Sequence, residues 1–214
     1  MKKTTFICLL AFNFSLLSCN FDDSYNEVNT VENTQVQINN PLAKPSRTDL
    51  AFITQQLTNS YKANFNDSDI PLTQKINLLD SATVYVPLFA EIKPVNFAVP
   101  DVEDIQVFLN NYNTAYTNLN VSVDVRDYLD LIVQTEVADY NLLLQSIETD
   151  LYLNTYEKHN LQFIVIYMQD TVNAVYGGPK DESWKKRNIV AAVKGFETSN
   201  ANAVFNVALL SIVN

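Results

Sequence analysis

The sequence predicts an all-α protein, a bundle of six or seven helices that occupies residues 46–214. Glycine is scarce, with three in 214 residues, and tight hairpins depend on glycine for positive φ. Apolar residues recur with the spacing of one helix face in one stretch after another. Aspartate, serine and threonine stand where these stretches begin, as helix N-caps do. Together these features favour helices joined by short polar turns.

The first three helices follow from caps and apolar spacing. Residues 46–49 have a capping-box pattern, Asp69 precedes the second stretch, and Asp101 precedes the third. Three prolines in residues 84–100 predict an irregular connector between the second and third helices. The three apolar stripes are Leu50, Ile53, Leu57 and Tyr61; Leu72, Ile76 and Leu79; and Ile105, Phe108, Leu109, Tyr112, Tyr116 and Leu119.

The fourth and fifth helices lie in residues 122–176. Ser122 opens a long amphipathic stretch that has a candidate break near Thr135. Thr155 is the predicted cap of the fifth helix, which runs to Tyr176, and Gly177 is its predicted C-cap. Pro179 prevents the helix from continuing.

The last two helices are predicted at residues 183–194, ended by Gly195, and at residues 199–213. Residues 203–213 are the most apolar stretch after the N-terminal segment. Eleven residues cannot span a bilayer, so this helix is predicted to complete the core, with docking on a partner as the alternative. Short strands are the alternative at residues 84–86, 121–125 and 163–167.

The N-terminal residues have the pattern of a secretion signal. Lys2 and Lys3 precede an apolar run at residues 6–17, which is too short to span a membrane. The run ends in Leu16-Leu17-Ser18-Cys19, which resembles the lipobox of bacterial lipoproteins. The resemblance implies cleavage after Ser18 and attachment of a diacylglyceryl group to the Cys19 sulfur, with acyl chains such as palmitate. Such chains would be the membrane contact of the protein.

The resemblance divides the chain into a signal peptide at residues 1–18, a lipidated tether at residues 19–45 and the helical domain at residues 46–214. The tether is polar and lacks helical periodicity. Its Asp22 and Asp23 resemble the export signal of Bacteroidota-type surface lipoproteins. This implies an outer-membrane lipoprotein on the cell surface, with the periplasmic face as the alternative.

Two tripeptides, Asp80-Ser81-Ala82 and Asp170-Thr171-Val172, resemble the acceptor sequence for O-glycosylation in the same bacteria. The resemblance implies modification at Ser81 and Thr171. A three-residue pattern also arises by chance, so absence of modification is the alternative.

Charge and composition exclude several classes of function. Removal of Lys2 and Lys3 with the signal leaves 12 basic against 24 acidic residues, a net charge of −12. Such a surface repels nucleic acid. His159 is the single histidine, and lipidation consumes Cys19, so ligands for a zinc site are lacking. Phosphate-binding loops require glycines that the chain lacks. We therefore expect no metal, no cofactor and no catalytic residues.

Three further clusters have an ordinary and a functional interpretation. Asp124, Asp127 and Asp130 share one helix face and are interpreted as a solvated surface, with weak cation binding as the alternative. The oxygen-rich turn at residues 66–69 is interpreted as a helix cap. Trp184 begins the only basic cluster of the mature chain, residues 184–187, and is interpreted as a packing anchor, with an amphipathic contact as the alternative.

Three functions remain open. The first is a non-enzymatic interaction or adhesion module that contacts a protein partner in the envelope or at the cell surface. The second is a ligand-binding accessory of a nutrient-uptake system, for glycan or peptide. The third is a carboxylate-dependent hydrolase. An exposed apolar face would favour the first, an aromatic-lined pocket the second, and two carboxylates in one cleft the third.

Overall fold

The computed structural model describes residues 47–65, 69–136, 139–173 and 181–213. In these ranges 79% of the residues are helical and none forms a strand. This confirms the all-α bundle and excludes the strand alternatives. The α-helices are α1 (Arg47–Asn64), α2 (Leu72–Ala82), α3 (Pro87–Ile92), α4 (Val102–Leu109), α5 (Tyr112–Thr117), α6 (Val123–Gln134), α7 (Tyr140–Thr149), α8 (Thr155–Asn173), α9 (Glu182–Phe196) and α10 (Asn200–Val213).

The C-terminal helix α10 lies at the centre of the core. It packs against α9, α1 and α2, and every residue from Ala201 to Leu210 is buried. A helix that is apolar around its whole circumference must be buried on all sides. The prediction that this helix completes the core is therefore confirmed.

The predicted stripes of α1 and α2 also face the core. Leu50, Ile53, Leu57 and Tyr61 are at most 1% exposed, and Ile76 and Leu79 are buried as well. Each of these positions follows the last by three or four residues, the spacing that brings side chains to one face of a helix.

Several helices begin at caps that the sequence predicts. The Asp101 carboxylate accepts the Asp104 N–H at 2.8 Å, the Ser122 hydroxyl accepts the Val125 N–H at 3.3 Å, and Ser199 caps α10. The predicted break near Thr135 is confirmed, because Thr135 is extended and α7 begins at Tyr140.

Two predicted caps are one or two residues displaced. Asn154, and not Thr155, caps α8: its side-chain oxygen accepts the N–H groups of Tyr156 and Glu157. Glu157 accepts the Asn154 N–H in return, which completes a capping box. Helix α9 begins before residue 183, because the Asp181 carboxylate accepts the Trp184 N–H at 2.7 Å.

The predicted number of helices, six or seven, is too low, since ten α-helices lie in the described ranges. The predicted third helix is two helices, α4 and α5, interrupted at Asn110 and Asn111. Asparagine favours turns because its side chain competes for backbone hydrogen bonds. The predicted connector is partly helical: it contains a 3₁₀ turn at Thr83–Tyr85 and α3, which starts at Pro87. Proline suits a first helical position.

Gly195 does not end α9, which continues to Phe196. The glycine is instead a packing contact. A Cβ at this position would lie 2.3 Å from the Ala203 Cα and 2.4 Å from the Ala203 nitrogen. Helices α9 and α10 therefore touch backbone to backbone beside the turn that joins them. In the described ranges, no helix is both long and apolar enough to cross a membrane.

Candidate functional site

A cleft of about 480 Å³ opens where the start of α4 meets the turn between α9 and α10. Val99 and Pro100, which precede α4, form one wall together with Val107 of α4. Lys194 and Glu197, at the end of α9, also line the cleft. The volume lies within the range of small-molecule pockets, and the wall mixes apolar and charged groups.

Two asparagines of α10, Asn202 and Asn206, line the base of the cleft. Asn202 is fully engaged: its amide donates to the Ala98 carbonyl at 3.0 Å and accepts the Ser199 hydroxyl at 2.7 Å. Asn206 is 5% exposed and donates to the Ala191 carbonyl at 3.2 Å. Its Oδ1 is buried and has no hydrogen-bond partner within the described part of the chain, which is uncommon for a buried polar atom.

The charged groups of the cleft are Asp104, Lys194 and Glu197. The Lys194 ammonium pairs with the Glu197 carboxylate at 2.9 Å. The Asp104 backbone is held by the cap of α4, and the residue is exposed. Its carboxylate has no hydrogen bond or ion pair to any described residue. One carboxylate therefore remains available to a ligand.

A second feature is an apolar tip, Leu151 and Tyr152, in the turn between α7 and α8. The two side chains are 93% and 83% exposed. The turn is fixed from beneath: the Asp150 carboxylate accepts the N–H groups of Tyr152 at 2.7 Å and Leu153 at 3.3 Å. Leu153 is 5% exposed and anchors the turn in the core.

Tyr128 of α6 holds the same turn from the side. Its hydroxyl donates to the Asp150 carboxylate at 2.9 Å and lies 3.2 Å from the Ser146 carbonyl. The Tyr152 N–H and the Tyr128 hydroxyl lower the pKa of Asp150. Burial and the neighbouring Asp150 raise the pKa of Tyr128 to about 12. The carboxylate is therefore ionised at neutral pH, as this set of hydrogen bonds requires.

The charges near the tip are mostly negative. Glu148 and Asp150 flank it on the α7 side, and Glu157 lies in the first turn of α8. Glu157 also accepts the Ser122 hydroxyl at 2.7 Å, which joins the start of α6 to the start of α8. Lys158 is directed to the Glu148 carbonyl at 2.8 Å.

The basic cluster at residues 184–187 is used inside the fold, which favours the interpretation as a packing anchor. Trp184 packs against the core. Lys186 forms an ion pair with Glu182, and the Arg187 guanidinium lies 4.8 Å from the centre of the Tyr112 ring. These contacts engage the basic side chains within the fold, and an amphipathic surface would need the same side chains free.

Lys185, in the same cluster, is 7% exposed. Its ammonium donates to the carbonyls of Val133 at 3.0 Å and Thr135 at 2.7 Å. It therefore caps the C-terminus of α6, where carbonyls lack helical partners and a positive charge is favourable. Burial lowers its pKa.

The acidic face of α6 is largely a solvated surface. Asp124 and Asp127 are exposed. Asp130 is half-buried and accepts the Tyr116 hydroxyl at 2.7 Å, and burial together with this carboxylate raises the pKa of Tyr116. No group of three or more histidine, cysteine or acidic side chains in the described ranges is arranged to hold a metal ion.

The remaining sequence candidates lie apart from both features. His159 is half-buried in the second turn of α8. The exposed Ser81 hydroxyl donates to the Asn77 carbonyl at 2.9 Å, and the half-buried Thr171 hydroxyl donates to the Tyr167 carbonyl at 2.8 Å. Modification at Ser81 and Thr171 stays a prediction.

The predictions for the N-terminus and for two turns concern residues outside the described ranges. The residues concerned are Ser18, Cys19, Asp22, Asp23, Ser46, residues 66–68, Tyr176, Gly177 and Pro179. Processing, lipidation, the cap at residues 66–68 and the helix end at Gly177 and Pro179 therefore stay predictions.

Sequence reasoning missed both the cleft and the tip. The cleft is formed by residues about 90 positions apart, so no local pattern indicates it. The tip has a local signal: Asp150 and Asn154 are turn-forming residues, and they bracket three large residues, Leu151, Tyr152 and Leu153. No protein-family model, curated protein or solved structure matches the chain, so the candidate site rests on its own geometry.

Proposed function

We propose that the chain is a lipid-anchored envelope protein that acts as a non-enzymatic interaction module and docks on a protein partner through the tip. The observation that carries the proposal is the exposure of two adjacent large apolar side chains on a turn held by Asp150. Single exposed apolar residues are common on protein surfaces. A fixed pair that includes a tyrosine has the character of an interface anchor.

The partner is expected to present an apolar pocket with a basic rim. The acidic residues Glu148, Asp150 and Glu157 lie close to the tip in the sequence, and complementary charge steers association and selects partners. A preformed turn also lowers the entropy lost on binding. The expectation that the partner lies in the cell envelope rests on the lipobox resemblance at Cys19.

Anchoring is tested by Cys19→Ser. We expect the variant to stay uncleaved after Ser18, to lack lipid, and to leave the outer-membrane fraction. Asp22→Asn with Asp23→Asn should keep the lipid but reduce labelling by a protease or antibody added to intact cells. Normal maturation and membrane retention of Cys19→Ser would contradict the lipoprotein proposal.

Docking is tested with a photo-crosslinking amino acid at position 152 in intact cells. We expect one discrete crosslinked band, lost when Leu151 is changed to Ser. The matched control places the crosslinker at Phe52 of α1, which is 48% exposed and has buried neighbours on both sides in sequence. Equal patterns from positions 152 and 52 would contradict a specific surface at the tip.

A second candidate function, capture of a ligand for an uptake system, is favoured by the cleft. Among the described residues that line it, Phe108 is the one aromatic; it is 3% exposed and offers little ring surface for stacking on a sugar. A peptide ligand is therefore favoured over a glycan. Asp104 and Glu197 share the cleft, but the ion pair of Glu197 with Lys194 leaves a single available carboxylate, whereas hydrolysis by paired carboxylates requires two.

A further inference from the structure

We propose that the cleft binds a basic side chain of a peptide, with its ammonium or guanidinium group on Asp104 and its methylene stem along the apolar wall. The inference is independent of the tip, because the two features use different helices. It specifies basic peptides as the ligand class for the second candidate function, capture of a ligand for an uptake system.

The charges of the cleft select a cation. Asp104, Glu197 and Lys194 give it a net charge of −1, and the pairing of Lys194 with Glu197 at 2.9 Å leaves Asp104 without a partner among the described residues. The Asp104 backbone is also fixed, because its N–H donates to the Asp101 carboxylate at 2.8 Å. The exposed carboxylate on that backbone is able to form a charge-assisted hydrogen bond with an ammonium or guanidinium group.

The apolar wall suits the stem of a lysine or arginine. Val99, Pro100 and Val107 line the same cleft as Asp104. Long basic side chains bury their methylene groups on apolar surface while the charged end meets a polar group. A simple metal cation would gain nothing from this wall, so the combination favours an organic cation.

The base of the cleft favours a peptide over a free amine. Asn206 is nine-tenths buried there, and its Oδ1 has no partner within the described part of the chain. A buried acceptor without a donor costs stability. A peptide N–H bound at the base can supply that donor after a small adjustment of the amide. A volume of about 480 Å³ accommodates a basic side chain together with a flanking peptide group.

The test is isothermal titration calorimetry of the purified full chain with the peptide acetyl-Ala-Lys-Ala-amide. The matched probes replace lysine by norleucine, which keeps the stem, or by glutamate, which reverses the charge. We expect saturable binding of the lysine peptide at millimolar concentration. Asp104→Asn should weaken it about tenfold, as expected for the loss of one charge-assisted hydrogen bond.

Asp124→Asn is the matched control, since Asp124 is an exposed first-turn carboxylate of another helix, α6, and it should leave the affinity unchanged. Asn206→Leu, which keeps the side-chain size, should weaken binding while circular dichroism shows a folded protein. Absence of heat with the lysine peptide, equal binding of the norleucine peptide, or equal losses in Asp104→Asn and Asp124→Asn would overturn the inference.

Discussion

The backbone contact between α9 and α10 gives a sharp prediction for Gly195→Ala. The new Cβ would lie 2.3 Å from the Ala203 Cα, 2.4 Å from its nitrogen and 2.7 Å from the Asn202 carbonyl carbon. Carbon atoms in contact are ordinarily about 3.5–4.0 Å apart. The two helices must therefore separate locally by roughly 1.2–1.7 Å, which disturbs the packing of α10, where every residue from Ala201 to Leu210 is buried.

Two opposing effects set the magnitude. Alanine in a helix gains about 1 kcal/mol over glycine. Overpacking of a filled core costs about 1–3 kcal/mol, and a clash with backbone belongs at the upper end, because no rotamer change relieves it. We therefore expect Gly195→Ala to lower the free energy of unfolding by about 2 kcal/mol, a large part of the stability of an ordinary domain.

The assay is urea unfolding of the full chain followed by far-UV circular dichroism, with the m-value as a check on the unfolded state. The control is the double variant Gly195→Ala with Ala203→Gly. It should not recover stability, because the clashing atoms are the Cα and nitrogen of Ala203, which glycine retains. Recovery in the double variant, or a Gly195→Ala protein as stable as the wild type, would refute the reasoning.

Three further predictions concern the core. Lys185→Met should lower the free energy of unfolding by about 2–3 kcal/mol, since it leaves the carbonyls at the end of α6 without a donor. Lys158→Met removes one bond to the Glu148 carbonyl at a half-buried site, where water replaces the donor, and should cost less than about 1 kcal/mol. Urea titrations compare the two variants, and equal losses would contradict the capping role. Burial raises the pKa of Tyr140 from 10.0 to about 12, so its contribution to stability is complete below pH 10 and lost as the pH rises toward 12. Tyr140→Phe should flatten that part of the pH profile of the urea midpoint, and an unchanged profile would contradict the assignment. Deletion of residues 200–214 should abolish cooperative thermal unfolding, and a truncated chain that melts like the intact one would show that α10 is not part of the core.

Local patterns predicted the helices well because each pattern and its consequence lie within a few residues. The stripe of α1 from Leu50 to Tyr61 is buried as a helical period requires, and the caps at Asp101 and Ser122 use side chains three residues from the N–H groups that they accept. The sequence predicted less accurately whether a helix continues or is interrupted. Nothing in the stripe that spans α4 and α5 indicates that Asn110 and Asn111 interrupt it, since the apolar spacing carries on across the break.

Roles set by distant contacts could not be predicted. Gly195 has the sequence signature of a helix end, but its function is to admit the backbone of Ala203, eight residues later and on another helix. Lys185 belongs to a cluster that suggests a surface, but its ammonium is directed to Thr135, 50 positions earlier in the chain. Such roles depend on which helices pack together, and helix periodicity specifies only which face is apolar.

The core is complete without the exposed tip, so the exposure of the tip needs a separate explanation. With α10 buried from Ala201 to Leu210 and α1 packed on it, the fold does not use Leu151 and Tyr152 in its core, since both are exposed, and the carboxylate of Asp150 fixes the backbone of their turn. A loop that served only to connect α7 and α8 would gain nothing from two large apolar side chains in water, since their exposure forgoes roughly 1.5–3 kcal/mol of burial each. That free energy becomes available only when another surface covers the tip. The proposed docking would recover that free energy, and the bond from the Tyr152 N–H to Asp150 fixes the turn for it in advance.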